Sequence, residues 1–161
     1  MQQRRETVVV NPELIGVMLQ RLARLRRTPI PDFQDIALWR RLTVGAIRIA
    51  ALRNRPIVVP MAFDNVNYLT EVRDGLASAG LTAHHVCLVA PQDIVPERLR
   101  QRGANDVRDE WQYRRASECC IVHTSSTFAT HVDAAEQSPL QVAGAVLRAW
   151  DSARGVDMAR T

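Results

Sequence analysis

The sequence predicts an α/β fold, a three-layer, mostly parallel sheet with helices flanking it, and three observations carry that expectation. Pro56-Ile57-Val58-Val59-Pro60-Met61-Ala62-Phe63-Asp64-Asn65 is a nearly unbroken apolar run between turn residues. A strand covered on both faces reads this way. Helical patterns lie on either side of it, and strands alternating with helices join into parallel sheets through crossovers. Further short strands are expected at Thr7–Val10, Thr82–Ala90 and Thr130–Asp133. Ligands of open parallel sheets collect beyond the carboxyl ends of the strands, so Asp64 and Asn65 are candidate site residues by position. Pro60 lacks a ladder donor and is expected at the strand's end or at a bulge.

The elements follow in order. After Thr7–Val10, Asn11-Pro12-Glu13 starts a helix: Asn caps free amides, Pro at the first position sacrifices no hydrogen bond, and Glu suits the positive end of the dipole. Leu14, Met18, Leu22 and Leu25 form its expected buried stripe, with arginines opposite. Arg26-Arg27-Thr28-Pro29-Ile30-Pro31 breaks it. A second helix is expected from near Asp32 to about Arg53, burying Leu38, Leu42, Ile49 and Leu52.

Beyond the central strand, Asn65 or Asn67 caps a helix carrying Leu69, Val72 and Leu76, which stops at Gly80. A short helix runs from Val95 to about Arg102 and is closed by Gly103. Asp106 to Cys120 is arginine-rich with a helical pattern, and Thr124–Thr127 is a loop. Ser138-Pro139-Leu140-Gln141 is a capping box whose helix buries Val142, Val146 and Trp150. The 161 residues suffice for a single domain, expected over 1–153, with 154–161 a disordered tail.

Composition narrows the chemistry. The chain is 47% hydrophobic and 24% charged, ordinary for a globular protein. A net charge of +4 and a pI near 9.6 suit an anionic ligand such as a nucleotide. Nucleic-acid binding would require a basic face interleaved with aromatics, and aromatics are only 5% of the chain, so no nucleic-acid partner is expected.

All 21 basic residues are arginine, which excludes chemistry that needs a lysine of this chain. Cys87, Cys119 and Cys120 have neither zinc-site spacing nor the even count of a disulfide framework. His84 and His85 read as structural, and His123 and His131 lack ligand-spaced partners, so no metal site is expected. The N-terminus has no apolar signal core and no run reaches spanning length, so the expectation is a soluble, cytoplasmic protein without a membrane partner.

A family resemblance rests on segments that occur in this order: Asn11-Pro12-Glu13-Leu14-Ile15-Gly16, Asp32-Phe33-Gln34-Asp35-Ile36-Ala37-Leu38-Trp39-Arg40, Val58-Val59-Pro60-Met61, His84-His85-Val86-Cys87-Leu88, Arg98-Leu99-Arg100-Gln101-Arg102 and Thr130-His131-Val132-Asp133. Together, over about residues 7 to 150, the chain resembles the tunicamycin resistance proteins, a branch of the P-loop kinases associated with antibiotic resistance. That family opens with a strand and a G-x-x-x-x-G-K-[ST] loop that holds nucleotide phosphates. This sequence has no such loop and no lysine, and it begins where the family's second strand would. The resemblance therefore implies a P-loop kinase-like fold missing its first, central strand. The flanking strands would then leave a gap or pair directly, with reduced stability or self-association through unpaired edges.

The resemblance also assigns candidate roles. Arg98 and Arg102, four apart on one helix face, would bind the nucleotide, because a planar guanidinium stacks and forks onto oxyanions. Arg108, Arg114 and Arg115 would belong to a lid. Asn11, Gln34, Asp35, Trp39, Arg40 and Asp64 would face the acceptor. Each has a plainer reading: Asn11 as a helix cap, Trp39 as core, the arginines as solvated faces.

The complete family form implies ATP and Mg as cofactors and a small-molecule acceptor as partner. This chain is expected to be inactive or nearly so, since phosphoryl transfer depends on the positioning and charge neutralisation that the loop supplies. Two alternatives stay open. One is a true start upstream that restores the loop, and the other is a remnant that binds a ligand or partner without catalysis.

Overall fold

The structure is a computed structural model that describes residues 6–25, 32–103, 110–128 and 130–158. The chain divides after Ala83 into two compact units. Unit 1 contains β1 (Val8–Val9), α1 (Pro12–Leu25), a 3₁₀ turn (Phe33–Asp35), α2 (Ala37–Ala51), β2 (Ile57–Val58) and α3 (Val66–Ala77). Unit 2 contains β3 (Cys87–Val89), α4 (Ile94–Gln101), α5 (Glu110–Val122), a 3₁₀ turn (Ser126–Phe128), β4 (His131–Asp133) and α6 (Pro139–Met158).

Each unit is a mixed α/β assembly around one parallel pair of short strands. In unit 1, Val8 aligns with Ile57 and Val9 with Val58, and Val8 and Val10 donate to Pro56 O and Val58 O. In unit 2, Cys87, Leu88 and Val89 align with His131, Val132 and Asp133. Two helices connect the strands of each pair, as parallel crossovers require. The strands are shorter than the apolar runs suggest. Pro60 lies beyond the end of β2, and only Cys87–Val89 of the expected Thr82–Ala90 segment enters the ladder.

The core of unit 1 centres on Trp39, which is 1% exposed. Its ring meets Phe33 at 5.1 Å and Phe63 at 5.9 Å between centroids, and its indole N–H donates to Pro12 O at 2.9 Å. Gly16 lies directly against the Phe33 ring, where an added Cβ would come within 2.6 Å of Cγ. From α3, Leu69, Val72 and Leu76 complete the core as the sequence predicts.

The two earlier helices present different faces from those expected. In α1, Leu14, Met18, Leu22 and Leu25 are exposed, and Pro12, Gly16 and Ala23 are buried. The helix packs through its small residues, because Gly16 admits the Phe33 ring and Pro12 supplies the carbonyl for Trp39. In α2, Leu38, Leu42, Ile49 and Leu52 are likewise exposed, and Trp39, Arg40, Thr43 and Ile47 are buried. Both faces of α2 have helical periodicity, and the Trp39 and Arg40 hydrogen bonds decide between them.

Caps follow local chemistry closely. Asn11 Oδ1 accepts from Glu13 N at 3.0 Å, Asp32 Oδ1 from Gln34 N at 2.9 Å, and Asn65 Oδ1 from Asn67 N at 2.9 Å. The turn after α3 closes through Gly80 at φ +73°, a conformation that glycine adopts without steric cost. At the start of α6, Gln141 Oε1 accepts from both the backbone N–H and the hydroxyl of Ser138 at 2.8 Å, the expected capping box.

The helix that this box opens continues to Met158, past Ala153 where the sequence suggests a tail, and its Val142, Val146 and Trp150 are half-buried. In unit 2, Cys87, Phe128 and Val132 are buried, with the His85 and His123 rings against Phe128 at 6.2 and 4.9 Å.

Thr43 is fully buried in α2, and its hydroxyl has no hydrogen-bond partner among the described residues. An unsatisfied buried hydroxyl costs about 1–3 kcal/mol. Thr43→Val replaces it with a methyl group of similar shape, so the variant should be about 1 kcal/mol more stable in urea unfolding. A loss of stability would show that the hydroxyl has a partner after all.

Candidate functional site

In unit 1 the candidate residues converge on the guanidinium of Arg40. Asp32 caps the 3₁₀ turn and so places Gln34 and Asp35 at the entrance to α2. Gln34 is buried, and its side-chain amide donates to Ala62 O at 2.6 Å, tying the turn to the segment after β2. Arg40, one turn into α2, is also buried. Its Nη1 donates to Gln34 O at 2.5 Å and its Nε to Glu71 Oε2 at 2.6 Å.

The same guanidinium lies 4.1 Å from the centre of the Tyr68 ring, a cation–π contact. Tyr68 OH donates to Asp35 Oδ1 at 3.2 Å. Desolvation raises the Tyr68 pKa, the bond to Asp35 and the charges of Asp35 and Asp64 push the same way, and Arg40 opposes them. At neutral pH the phenol therefore keeps its proton and acts as a donor.

The structure thus brings Gln34, Asp35, Arg40 and Asp64 into one neighbourhood, with Asp64 half-buried on the loop after β2. Two of its members, Tyr68 and Glu71, are not among the residues that the sequence singles out. Their signal is the three-residue spacing on α3 just after the Asn65 cap, which sets a ring and a carboxylate on one helix face. Asn11 and Trp39 are engaged within the fold. The Asn11 side chain caps α1, and Trp39 sits in the core with its N–H bonded to Pro12 O.

In chemical terms the cluster offers carboxylates and a phenol to a ligand, and little free positive charge. The one guanidinium at its centre is neutralised by Glu71 and engaged by a backbone carbonyl. Such a surface suits hydroxyl or amine groups of a small molecule better than an anion.

In unit 2, Arg98 is half-buried on α4, and its Nη2 donates to Ala134 O at 2.6 Å and to Ala135 O. The segment between β4 and α6 is pinned further by Asp133 Oδ1, which accepts from Ala135 N, and by Ala134 N, which donates to Val89 O, both at 2.8 Å. Arg102 is exposed and lies at the C-cap of α4. On α5, Arg114 is exposed and Arg115 half-buried. Arg108 lies outside the described residues. No helix among the described residues is long and apolar enough to cross a membrane.

Comparison with known proteins gives a likeness among solved structures. The solved structure of the Deinococcus radiodurans tunicamycin resistance protein matches with a TM-score of 0.65 and 29% sequence identity, over 87% of this chain and 79% of that one. No protein-family model matches the sequence, and no curated protein does. In fold and along most of its length this chain is therefore similar to a tunicamycin resistance protein, as its ordered sequence motifs imply.

Proposed function

We propose that the chain is a kinase-like scaffold of the tunicamycin-resistance type, three-layered as P-loop kinases are, and cytoplasmic. In the complete family form ATP and Mg would be its cofactors and a small polar molecule its acceptor. The observation that carries this reading is the likeness to the D. radiodurans protein over most of both chains. On this reading the Gln34, Asp35, Arg40, Asp64 and Tyr68 neighbourhood belongs to the acceptor side. Arg98 and Arg102 belong to the nucleotide side, and Arg114 and Arg115 of α5 to the lid.

The residues in hand do not assemble phosphoryl-transfer chemistry by themselves. They contain no G-x-x-x-x-G-K-[ST] loop and no lysine, so the usual cradle for the β- and γ-phosphates is missing from this sequence. One terminal nitrogen of Arg98, Nη2, is already bonded to the carbonyls of Ala134 and Ala135, which leaves Nη1 and Nε as its donors toward a phosphate. The same internal engagement of Arg98 and Arg40 favours a second reading, in which the scaffold binds a ligand or partner without catalysis.

The test is a thermal-shift titration with ATP and magnesium on this chain and on a fusion carrying a glycine-rich P-loop strand and helix at its N-terminus. This chain should show no rise in Tm at millimolar nucleotide, and the fusion should rise by several degrees. Stabilisation of the unfused chain would overturn the inactive reading. Failure of a folded fusion to respond would overturn the kinase-like one.

A further inference from the structure

The outward face of α2 carries Leu38, Leu42, Gly45, Ile49 and Leu52, a spacing of alternating fours and threes. That alternation holds all five in one narrow stripe, the pattern of a helix-packing seam. The four large residues are 52%, 38%, 71% and 80% exposed in chain order. Above Gly45 the space is open, since an added Cβ would meet nothing within 4 Å. The C-terminal half of the seam also forms one wall of a groove of about 700 Å³, lined by Gly45, Arg48, Ile49, Leu52, Ala79 and Leu81 among others.

Charge identifies what fits there. The α2 helix contains no acidic residue. Arg41 and Arg48, two turns apart beside the seam, are exposed, and neither is in an ion pair among the described residues. A second copy of this chain is a poor occupant. Antiparallel pairing about Gly45 would match Leu42 with Ile49 and Leu38 with Leu52, but it would also set Arg41 of one copy beside Arg48 of the other. Like charges facing one another across an interface are destabilising.

We propose that this face of α2 is a docking surface for an amphipathic helix of another protein, apolar at heptad spacing and flanked by aspartate or glutamate. An apolar side chain of that helix seats in the groove beside Ile49 and Leu52, where burial supplies most of the affinity. Its acidic flank meets Arg41 and Arg48, which fixes orientation and excludes basic helices. The proposal uses none of the residues assigned to the acceptor or nucleotide sides, so it stands independently of the kinase-like reading.

The test uses two synthetic helical peptides with the same leucine and isoleucine seam, one flanked by glutamates and the other by lysines, titrated against this chain by fluorescence anisotropy. The glutamate peptide should bind at least about tenfold more tightly, and the Arg41→Glu/Arg48→Glu double variant should reverse the order. Ile49→Asp, at an exposed position, should weaken both peptides by about tenfold or more while circular dichroism shows the fold intact.

No binding by either peptide, equal binding of both, or indifference to Ile49→Asp would overturn the proposal. Two other outcomes would also overturn it by giving the face a different occupant. One is concentration-dependent dimerisation in size-exclusion chromatography that Ile49→Asp abolishes. The other is binding to phosphatidylglycerol vesicles that Ile49→Asp abolishes.

Discussion

Trp39→Ala should lower the unfolding free energy by about 3–5 kcal/mol, the range found when a large buried aromatic is truncated. Two losses act together. The Phe33 and Phe63 rings lose the surface between them, and the indole bond that ties α2 to Pro12 O at the start of α1 is gone. Marginal stability is the rule for domains, so a loss of this size can remove a large share of what unit 1 has. Urea unfolding followed by far-UV circular dichroism measures it. Trp39→Phe separates the components, because it keeps most of the packing and removes only the indole donor, and it should cost about 1–3 kcal/mol. An alanine variant within 1 kcal/mol of the parent would mean that Trp39 is not the keystone of this core, and would reopen its candidacy as a ligand-facing aromatic.

Arg40→Ala is the second large effect, at about 2–4 kcal/mol. Removing one partner of a buried, hydrogen-bonded charge leaves the other polar groups without compensation. Here Gln34 O and the Glu71 carboxylate lose their donor and Tyr68 loses the cation on its face. The value lies below that for a wholly buried pair because the Glu71 side chain is 42% exposed and can turn to water. For the same reason Glu71→Gln alone should cost under about 1 kcal/mol, and a double-mutant cycle between the two positions isolates their coupling. If Arg40→Ala leaves stability unchanged but alters the binding of a small molecule, the guanidinium is a ligand contact and not a strut.

These two residues also show what the sequence could and could not reveal. Local chemistry was legible: the caps at Asn11, Asn65 and Ser138 depend on neighbours within a few positions and occur as expected. The parallel α/β character was legible too, because apolar runs between turn residues alternate with helical periodicity. The choice of buried face in α1 and α2 was not. Periodicity says that a helix has a stripe, but in α2 Leu38, Leu42, Ile49 and Leu52 compete with Trp39, Thr43 and Ile47 on nearly opposite sides. What settles the matter is a long-range bond from Trp39 to Pro12, invisible in any window along the chain.

The candidate site was legible in part for the same reason. Gln34, Asp35, Arg40 and Asp64 stand out by segment resemblance or by position after a strand, and they do lie together. Tyr68 and Glu71 belong to that neighbourhood through distances of 28 and 31 residues from Arg40, read from their positions, and their three-residue spacing on α3 puts them on one face without saying what that face meets.

The contact between Gly16 and Phe33 constrains how this architecture can drift over evolutionary time. The helix backbone and the phenyl ring occupy adjoining space with no room for even a methyl group between them. A lineage that acquires alanine or anything larger at position 16 must therefore shrink position 33 in step, or tilt α1 away and surrender the carbonyl that anchors the indole. The two positions should change as a coupled pair, and a larger residue at 16 beside an unchanged ring at 33 marks a chain in which α1 has moved off the turn that precedes α2.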